Sequence, residues 1–498
     1  MSVTARDNRT RDHSIAPVLD ALTEHRRGVR HRSFTPPGHK QGAGADPRVI
    51  ATLGQDVFAA DLPSLSGLDD RRMSGRILAD AQALMADAVG AEHAFFSTCG
   101  SSLAVKSAML SVAGPYDELL VARNAHKSVV SGLVLAGIEP VWVRPHWDAG
   151  YHFSHPPGPQ EVAEAFARHP DAKGMVLISP TAYGTCADTR GIAEVCHQQG
   201  RPLIVDEAWG AHLPFHPRLP DGAMEAGADV GVTSVHKMGA GLEQASVFHL
   251  RGQLVDPSVL RMREELLETA SPSVLIYAAI DGWRRQMAER GRELLDDALS
   301  LADGLREAVG KLAGLTPLAE ELTGPGRAYD RDPLVTVIDV PGLGTSGYAV
   351  ADWLRAHRQI DVALADHRRI VIQLTHADSQ ESVLDLTDAL IELVKQRGSL
   401  PPPAEVRLPS PAGLEQEQVM LPRDAYFGPA EQVPAEDAVG RIAAETASPC
   451  PPGLPVLVPG ERISRETVDY LTSGVQAGMY VPDTADQTLR TLRVVARR

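Results

Sequence analysis

From residue 46 to about 300, short apolar runs alternate with helix-like stretches, and nothing else in the sequence limits the possible folds as strongly. The runs are "ELLVAR" (118–123), "EPVWVRP" (139–145), "GMVLIS" (174–179), "PLIVDEA" (202–208) and "VGVTSV" (230–235). Near-continuous apolar runs of this length predict strands covered on both faces. Segments 101–113, 126–137, 160–169 and 190–199 read as helices between them. Strand, helix, strand at this spacing predicts an α/β fold with a mainly parallel, doubly wound sheet.

At 498 residues the chain exceeds one compact core and predicts two to four domains. Residues 1–45 read as an N-terminal arm with a short helix from Ala16 to Arg26 and the loop "FTPPGHKQGAGADP". Residues 46–312 form the large domain, which a helical stretch from about 285 to 312 leads out of. Residues 313–397, with "PLVTVIDV", "SGYAVADWLRAHR", "IVIQLT" and "SVLDLTDALIELVKQR", read as a small α+β domain. The Pro-rich stretch 398–413 is a linker, and 414–498 a C-terminal domain with turn-rich "PPGLPVLVPGE" (451–461).

Hydrophobic residues make up 43% and charged residues 22%, as in ordinary globular proteins. A formal charge of −16 argues against nucleic acid or an anionic membrane as the main partner. The N-terminus "MSVTARDNRTRDHS" lacks the apolar core of a signal peptide, and no run of about 18 apolar residues exists. Cys99, Cys186, Cys196 and Cys450 include no CxxC pair, which fits a reducing compartment. The expectation is a soluble, cytoplasmic protein.

Sites in open α/β sheets form beyond the carboxyl ends of strands. There "LIVDEAWGAH" places Asp206 and Glu207, and "VTSVHK" places Ser234, His236 and Lys237. "STCGSS" brings Gly100, Ser101 and Ser102 to a helix start, suited to a phosphate, and "RNAHKS" brings His126. Together these meet the needs of pyridoxal 5′-phosphate. Lys237 can supply the amine for a Schiff base, and Asp206 the carboxylate that keeps the pyridine nitrogen protonated. Ser101, Ser102 and Ser234 can bind phosphate, and His126 can stack on the ring. Each feature alone is common, and each residue has a plainer reading as a cap or a solvated side chain. The order gives the weight: phosphate turn, aromatic, Asp206, then Ser-x-His-Lys with Lys237 31 residues after Asp206. A metal at Asp206, Glu207 and His212 lacks a ligand logic, so none is expected.

The stretches "FTPPGHKQG", "LPSLSGLDD", "STCGSS", "VARNAHKSVVSGL", "PTAYGTCADTRGIAEVCH", "LIVDEAWGAHLPFH", "SVHKMGAGLEQASVFHL", "TASPSVLIYAAID" and "GPAEQVPAEDAVGRIAAETASPCPPGLPVLVPGERI" resemble the fold-type-I, pyridoxal-phosphate-dependent ornithine/lysine/arginine decarboxylases, from about residue 34 to 465. The resemblance is to a short form without the N-terminal receiver-like domain. It implies that Lys237 bears the cofactor, that Asp206 pairs with the ring nitrogen, and that Ala208 packs opposite His126. It adds His236 to the phosphate site and puts Trp209 or His212 near the phenolic oxygen. It makes "TASPS" (269–273), through Ser271, a segment reaching a partner's cofactor in a homodimer or larger assembly with shared active sites. It places His39 and Lys40 near the entrance.

The implied reaction decarboxylates a basic L-amino acid (lysine, ornithine or arginine) to its amine and CO2, feeding polyamine biosynthesis. Three positions depart from the family pattern: Cys99 replaces an Asn, Cys450 an aromatic, and Ala363 a Glu. Two alternatives stand beside it. One is transamination, elimination or oxidative deamination with the same cofactor. The other is a binding or regulatory protein on the same scaffold.

Overall fold

The computed structural model describes residues 11–27, 34–63, 76–410, 413, 416–450 and 452–497. Residues 64–70 of "LPSLSGLDD", the first ten residues, Pro451 and residues 411–412 lie outside the described residues.

All five expected runs form strands. They are β2 (Glu118–Ala122), β3 (Glu139–Val143), β4 (Met175–Ile178), β5 (Leu203–Asp206) and β6 (Val230–Ser234), paired in parallel in the order β6-β5-β4-β2-β3. Two further strands, β1 (His93–Ser97) and β7 (Ser246–Leu250), extend one edge to the order β1-β7-β6-β5-β4-β2-β3. β7 runs antiparallel to both of its neighbours. The sequence hides these two because His93, Ser97, Ser246 and His249 interrupt their apolar character. In the fold Ser97, Ser246 and His249 are nevertheless buried. The helices fall within a residue or two of expectation, for example Ser101–Val112 and Lys127–Ala136.

One helix is longer than expected. It runs from Val274 to Gly310 rather than from about 285. Nothing after Ser273 breaks it early, and Val274, Tyr277, Ala278 and Asp281 recur at helical spacing on its buried face. Two fully buried charges in this added part anchor the N-terminal arm. Asp281 Oδ2 accepts the Val18 N–H at 2.8 Å, while Arg284 donates to the carbonyls of His13 and Ile15 and to Asp281. Further along, Leu295, Leu299 and Leu305 join one apolar cluster with Ile338, Leu354 and Ile370 of the next layer.

That layer is an antiparallel sheet of β8 (Thr316–Leu318), β9 (Val335–Asp339), β10 (Leu364–Ala365) and β11 (Arg369–Gln373), in the order β8-β9-β11-β10. Helices Gly347–Arg358 and Gln380–Lys395 accompany it. Residues 400–410 carry neither helix nor strand. Beyond them β12 (Ala430–Pro434) pairs with β13 (Thr491–Val495), and the helix Arg465–Gln476 closes a separate apolar cluster. Among the described residues no helix is long and apolar enough to cross a membrane.

Candidate active site

The parallel strands share a direction, so their carboxyl ends open on one side, and a cavity of about 840 Å³ lies there. Lys237 sits in the turn after β6, its N–H donating to the Ser234 carbonyl. Its Nζ lies 3.9 Å from the centroid of the Trp209 ring. Asp206 ends β5, is buried, and accepts the Ala208 N–H at 3.1 Å. Burial pushes the Lys237 ammonium below the ordinary lysine range, against the pull of Asp206 and Glu243. Burial likewise pushes the Asp206 carboxyl upward, against Lys237 and the Ala208 N–H. Both groups are driven toward their neutral forms, and a neutral amine is the nucleophilic form of lysine.

His126 is the N-cap of the helix Lys127–Ala136. Its Nδ1 accepts the Ser128 N–H at 3.2 Å and lies 3.0 Å from Ser128 Oγ. That acceptor role assigns the proton of the neutral ring to Nε2. Burial, reinforced by Lys237 and Lys127, pushes the imidazolium down to about 4, so the ring is uncharged near neutral pH.

Gly100, Ser101 and Ser102 line the cavity at the start of the helix Ser101–Val112. Gly100 has φ +76° and no side chain to cap the first turn, in which the Leu103 N–H donates to the Gly100 carbonyl at 3.0 Å. Ser234 Oγ donates to Ser101 Oγ at 2.8 Å. Ser234 is fully buried and stays off the cavity wall, so it orients Ser101. His236 reaches the wall while its Nδ1 lies 2.9 Å from the Ala245 carbonyl. Serine hydroxyls at a helix N-terminus, a desolvated amine, a buried carboxylate and a flat neutral ring form a donor set that fits pyridoxal phosphate. Among the described residues no group of three or more His, Cys, Asp or Glu could hold a metal ion.

Other expected residues stand elsewhere. Ala208 and Trp209 are on the wall, but His212 is not; it is buried with Nε2 3.0 Å from Asp332 Oδ2. Ser271 is exposed and touches Thr269, away from its own chain's cavity. His39 pairs with Asp61 at 3.1 Å and Lys40 donates to the Thr35 carbonyl, both off the wall. Ala363 is exposed and pairs with Val371 through its backbone. Cys99 donates to Glu268 Oε1 at 3.0 Å, and Glu268 also holds Ser97 and Thr98, so one carboxylate braces the turn. Gly239 is small because a Cβ would meet the Val235 carbonyl at 2.5 Å and Trp283 at 2.9 Å. The close packing beneath Lys237 is therefore with protein.

Sequence reasoning missed the far end of the cavity. A hairpin, His146–Asp148 with Phe153–His155, supplies Trp147 and His152, and the latter stacks on His367 with ring centroids 5.5 Å apart. Asp366 lies there too, but its oxygens already accept the N–H groups of Arg368 and Arg369 and the Tyr183 hydroxyl, with Arg369 Nε at 3.1 Å. The one available sequence signal was "DAGY" (148–151), a turn between short polar-aromatic runs. Cys450, Pro452 and Leu454 are also on the wall. Asn124 also lines it, its buried side-chain amide without a partner among the described residues.

Comparison with known proteins assigns the frame. The profile described as Orn/Lys/Arg decarboxylase, major domain, matches residues 16–322, and that of the C-terminal domain matches residues 411–484. An arginine decarboxylase of Halalkalibacterium halodurans is 39% identical over 484 residues, covering 96% of this chain and 97% of the relative. That of Bacillus subtilis is 37% identical over 484 residues, with the same coverage of both chains. The crystal structure of a lysine decarboxylase from Francisella novicida superposes with a TM-score of 0.81 at 19% identity, covering 97% of this chain and 81% of that one. The fold is that of the fold-type-I pyridoxal-phosphate enzymes, and the chain belongs to the Orn/Lys/Arg decarboxylase family.

Proposed function

We propose that this member of the Orn/Lys/Arg decarboxylase family removes the α-carboxyl group of L-arginine as CO2, with pyridoxal 5′-phosphate as cofactor. The convergence of Lys237, Asp206 and His126 on one cavity, beside the helix start at Ser101, carries the reading. The names of the relatives at 37–39% identity favour arginine over lysine and ornithine.

Lys237 would hold the cofactor covalently, Asp206 would keep a proton on its ring nitrogen, and Ser101 and Ser102 would bind its phosphate with Ser234 behind them. His126, Ala208 and Trp209 would enclose the ring, and His236 would support the phosphate end. The bound group would supply the sink for the electrons left when the Cα–carboxylate bond breaks. The chain's own residues do the rest. Burial keeps the Lys237 amine below the ordinary lysine range, ready to accept or return a proton at Cα. The His126 ring, neutral and with its proton on Nε2, offers a donor rather than a second cation. Aromatic walls at the far end exclude water around the substrate's side chain. Ser271, exposed in its own chain, would complete the site of a second copy in a homodimer or larger assembly. The product amine would enter polyamine biosynthesis in the cytoplasm.

The test is to load the purified protein and Lys237→Ala with pyridoxal phosphate and offer arginine, lysine and ornithine. CO2 and the matching amine should form from arginine with the wild type alone. Ammonia or a keto acid in place of CO2 would replace this reading with another reaction of the same cofactor. Faster turnover of lysine or ornithine would correct the substrate.

A further inference from the structure

The geometry points to the C-terminal domain as the device that positions His126, through Gly453 at the ring and an Arg123–Glu461 clasp beside it. This rests on the proposed role of His126 at the cofactor.

Three ties within five residues bracket the histidine. On its N-terminal side, Arg123 Nη2 donates to both oxygens of Glu461, each at 3.1 Å, and Nη1 donates to the Pro455 carbonyl at 2.6 Å. Glu461 is fully buried and also accepts the Val458 N–H at 2.8 Å. The Arg123 guanidinium lies 4.9 Å from the centroid of Trp142, whose Nε1 donates to Gln418 Oε1 at 3.2 Å. On the C-terminal side, the Lys127 N–H donates to the Gly453 carbonyl at 3.1 Å. That amide belongs to the first helical turn, where helix geometry offers no internal acceptor. The C-terminal segment therefore caps the helix that His126 begins.

The third tie is steric. Gly453 has φ +84°, and a Cβ placed on it would stand 3.2 Å from His126 Nε2 and 3.4 Å from Cδ2. Glycine thus leaves clear the ring edge opposite the Ser128 contact, where any side chain at 453 would press on it. Ser128 holds one ring edge, and the space at the other admits glycine but nothing larger without moving the imidazole. A Cβ there would make the ring give by a few tenths of an ångström, and a displaced ring orients a reacting group less well.

The decisive variant is Gly453→Ala, with Gly440→Ala as its control. Gly440 lies in the same C-terminal region at φ +79°, but a Cβ there meets nothing within 4 Å. It therefore carries the same backbone strain without the contact. Three readouts are compared: the His126 ring titration in selectively labelled apoprotein, assigned with His126→Asn; the circular dichroism of bound pyridoxal phosphate; and kcat apart from KM. Gly453→Ala should move the His126 titration toward the ordinary histidine range and alter the cofactor's dichroism. It should lower kcat roughly severalfold, with KM changed far less. Gly440→Ala should leave all three near wild type. Glu461→Gln, which keeps the shape but removes the charge facing Arg123, should reproduce the first two changes, and it decides the matter if Gly453→Ala does not fold. The inference is overturned if Gly453→Ala matches Gly440→Ala, or if Glu461→Gln lowers stability with the titration and dichroism unmoved. Cofactor binding without any CO2 release would sink the proposed function, while the apoprotein titration would still judge the clasp.

Discussion

Glu207 sits beside Asp206, the proposed partner of the cofactor's ring nitrogen, yet serves the fold, and replacing it with glutamine should change how stability depends on pH. Its side chain is buried, with Oε1 accepting the Ala223 N–H at 2.7 Å. Burial pushes its carboxyl from the ordinary 4.5 up to about 8; the Ala223 N–H opposes the rise and Asp206 adds to it. Below pH 4.5 the folded and unfolded chains both hold this proton, and no stability is lost. Between pH 4.5 and 8 the unfolded chain releases it while the folded chain retains it, so stability falls as pH rises. At about 1.4 kcal/mol per unit, the full span is worth about 5 kcal/mol as a ceiling. Glu207→Gln keeps an oxygen for Ala223 and has nothing to titrate. Any cost of placing its amide hydrogens is the same at every pH and cancels from the slope. Urea unfolding of the apoprotein, followed by tryptophan fluorescence from pH 5 to 8, should show the variant gaining on the wild type by several kcal/mol across the range. Parallel curves would refute the reasoning, because they would mean the folded chain releases the Glu207 proton as readily as the unfolded one.

Three further outcomes are expected. Ser234→Ala removes the donor to Ser101 Oγ and should weaken pyridoxal phosphate binding by about 1 kcal/mol, roughly fivefold in Kd by equilibrium dialysis; an unchanged Kd would free Ser101 from its partner. Asp281→Ala leaves the Arg284 guanidinium buried without a carboxylate and should cost about 3–5 kcal/mol. It also frees the Val18 N–H, so limited proteolysis should cut the arm near residues 11–27 faster, and an arm as resistant as before would count against the anchor. His249 is buried and pushed down to about 4, so the folded chain refuses a proton that the unfolded chain takes near pH 6.5. Stability should therefore fall as pH drops from 6.5 toward 4, by up to about 3 kcal/mol, and His249→Gln should flatten that limb.

The local signals in the sequence were strong where neighbours in the chain do the work. Apolar runs announced β2 to β6, because a strand covered on both faces must be apolar whatever covers it. β1 and β7 escaped because Ser97, Ser246 and His249 are polar residues that only a completed sheet and its neighbours bury. Lys237, Asp206, His126 and Ser101 could be proposed together because each follows a strand or opens a helix, and strand ends in such a sheet share one side. Trp209 and His212 could not be told apart by sequence. Their separation depends on which turn faces the cavity and on Asp332, which lies 120 residues beyond His212.

The sequence by itself therefore determined the parallel sheet, and it pointed to the order of the groups suited to a cofactor and to the lysine proposed to hold it. These follow from period, strand direction and chemical type, which are properties of short stretches. Only the tertiary structure decided that Gly453 leaves no room for a side chain beside His126, that Asp366 is already saturated by its neighbours, and that Ser271 stands clear of its own cavity. Gly453 with His126, and Tyr183 with Asp366, are contacts between segments far apart in the chain, and Ser271 and its cavity are the lack of one. Which surfaces meet is set by the packing of whole layers, and no local pattern of residues encodes it.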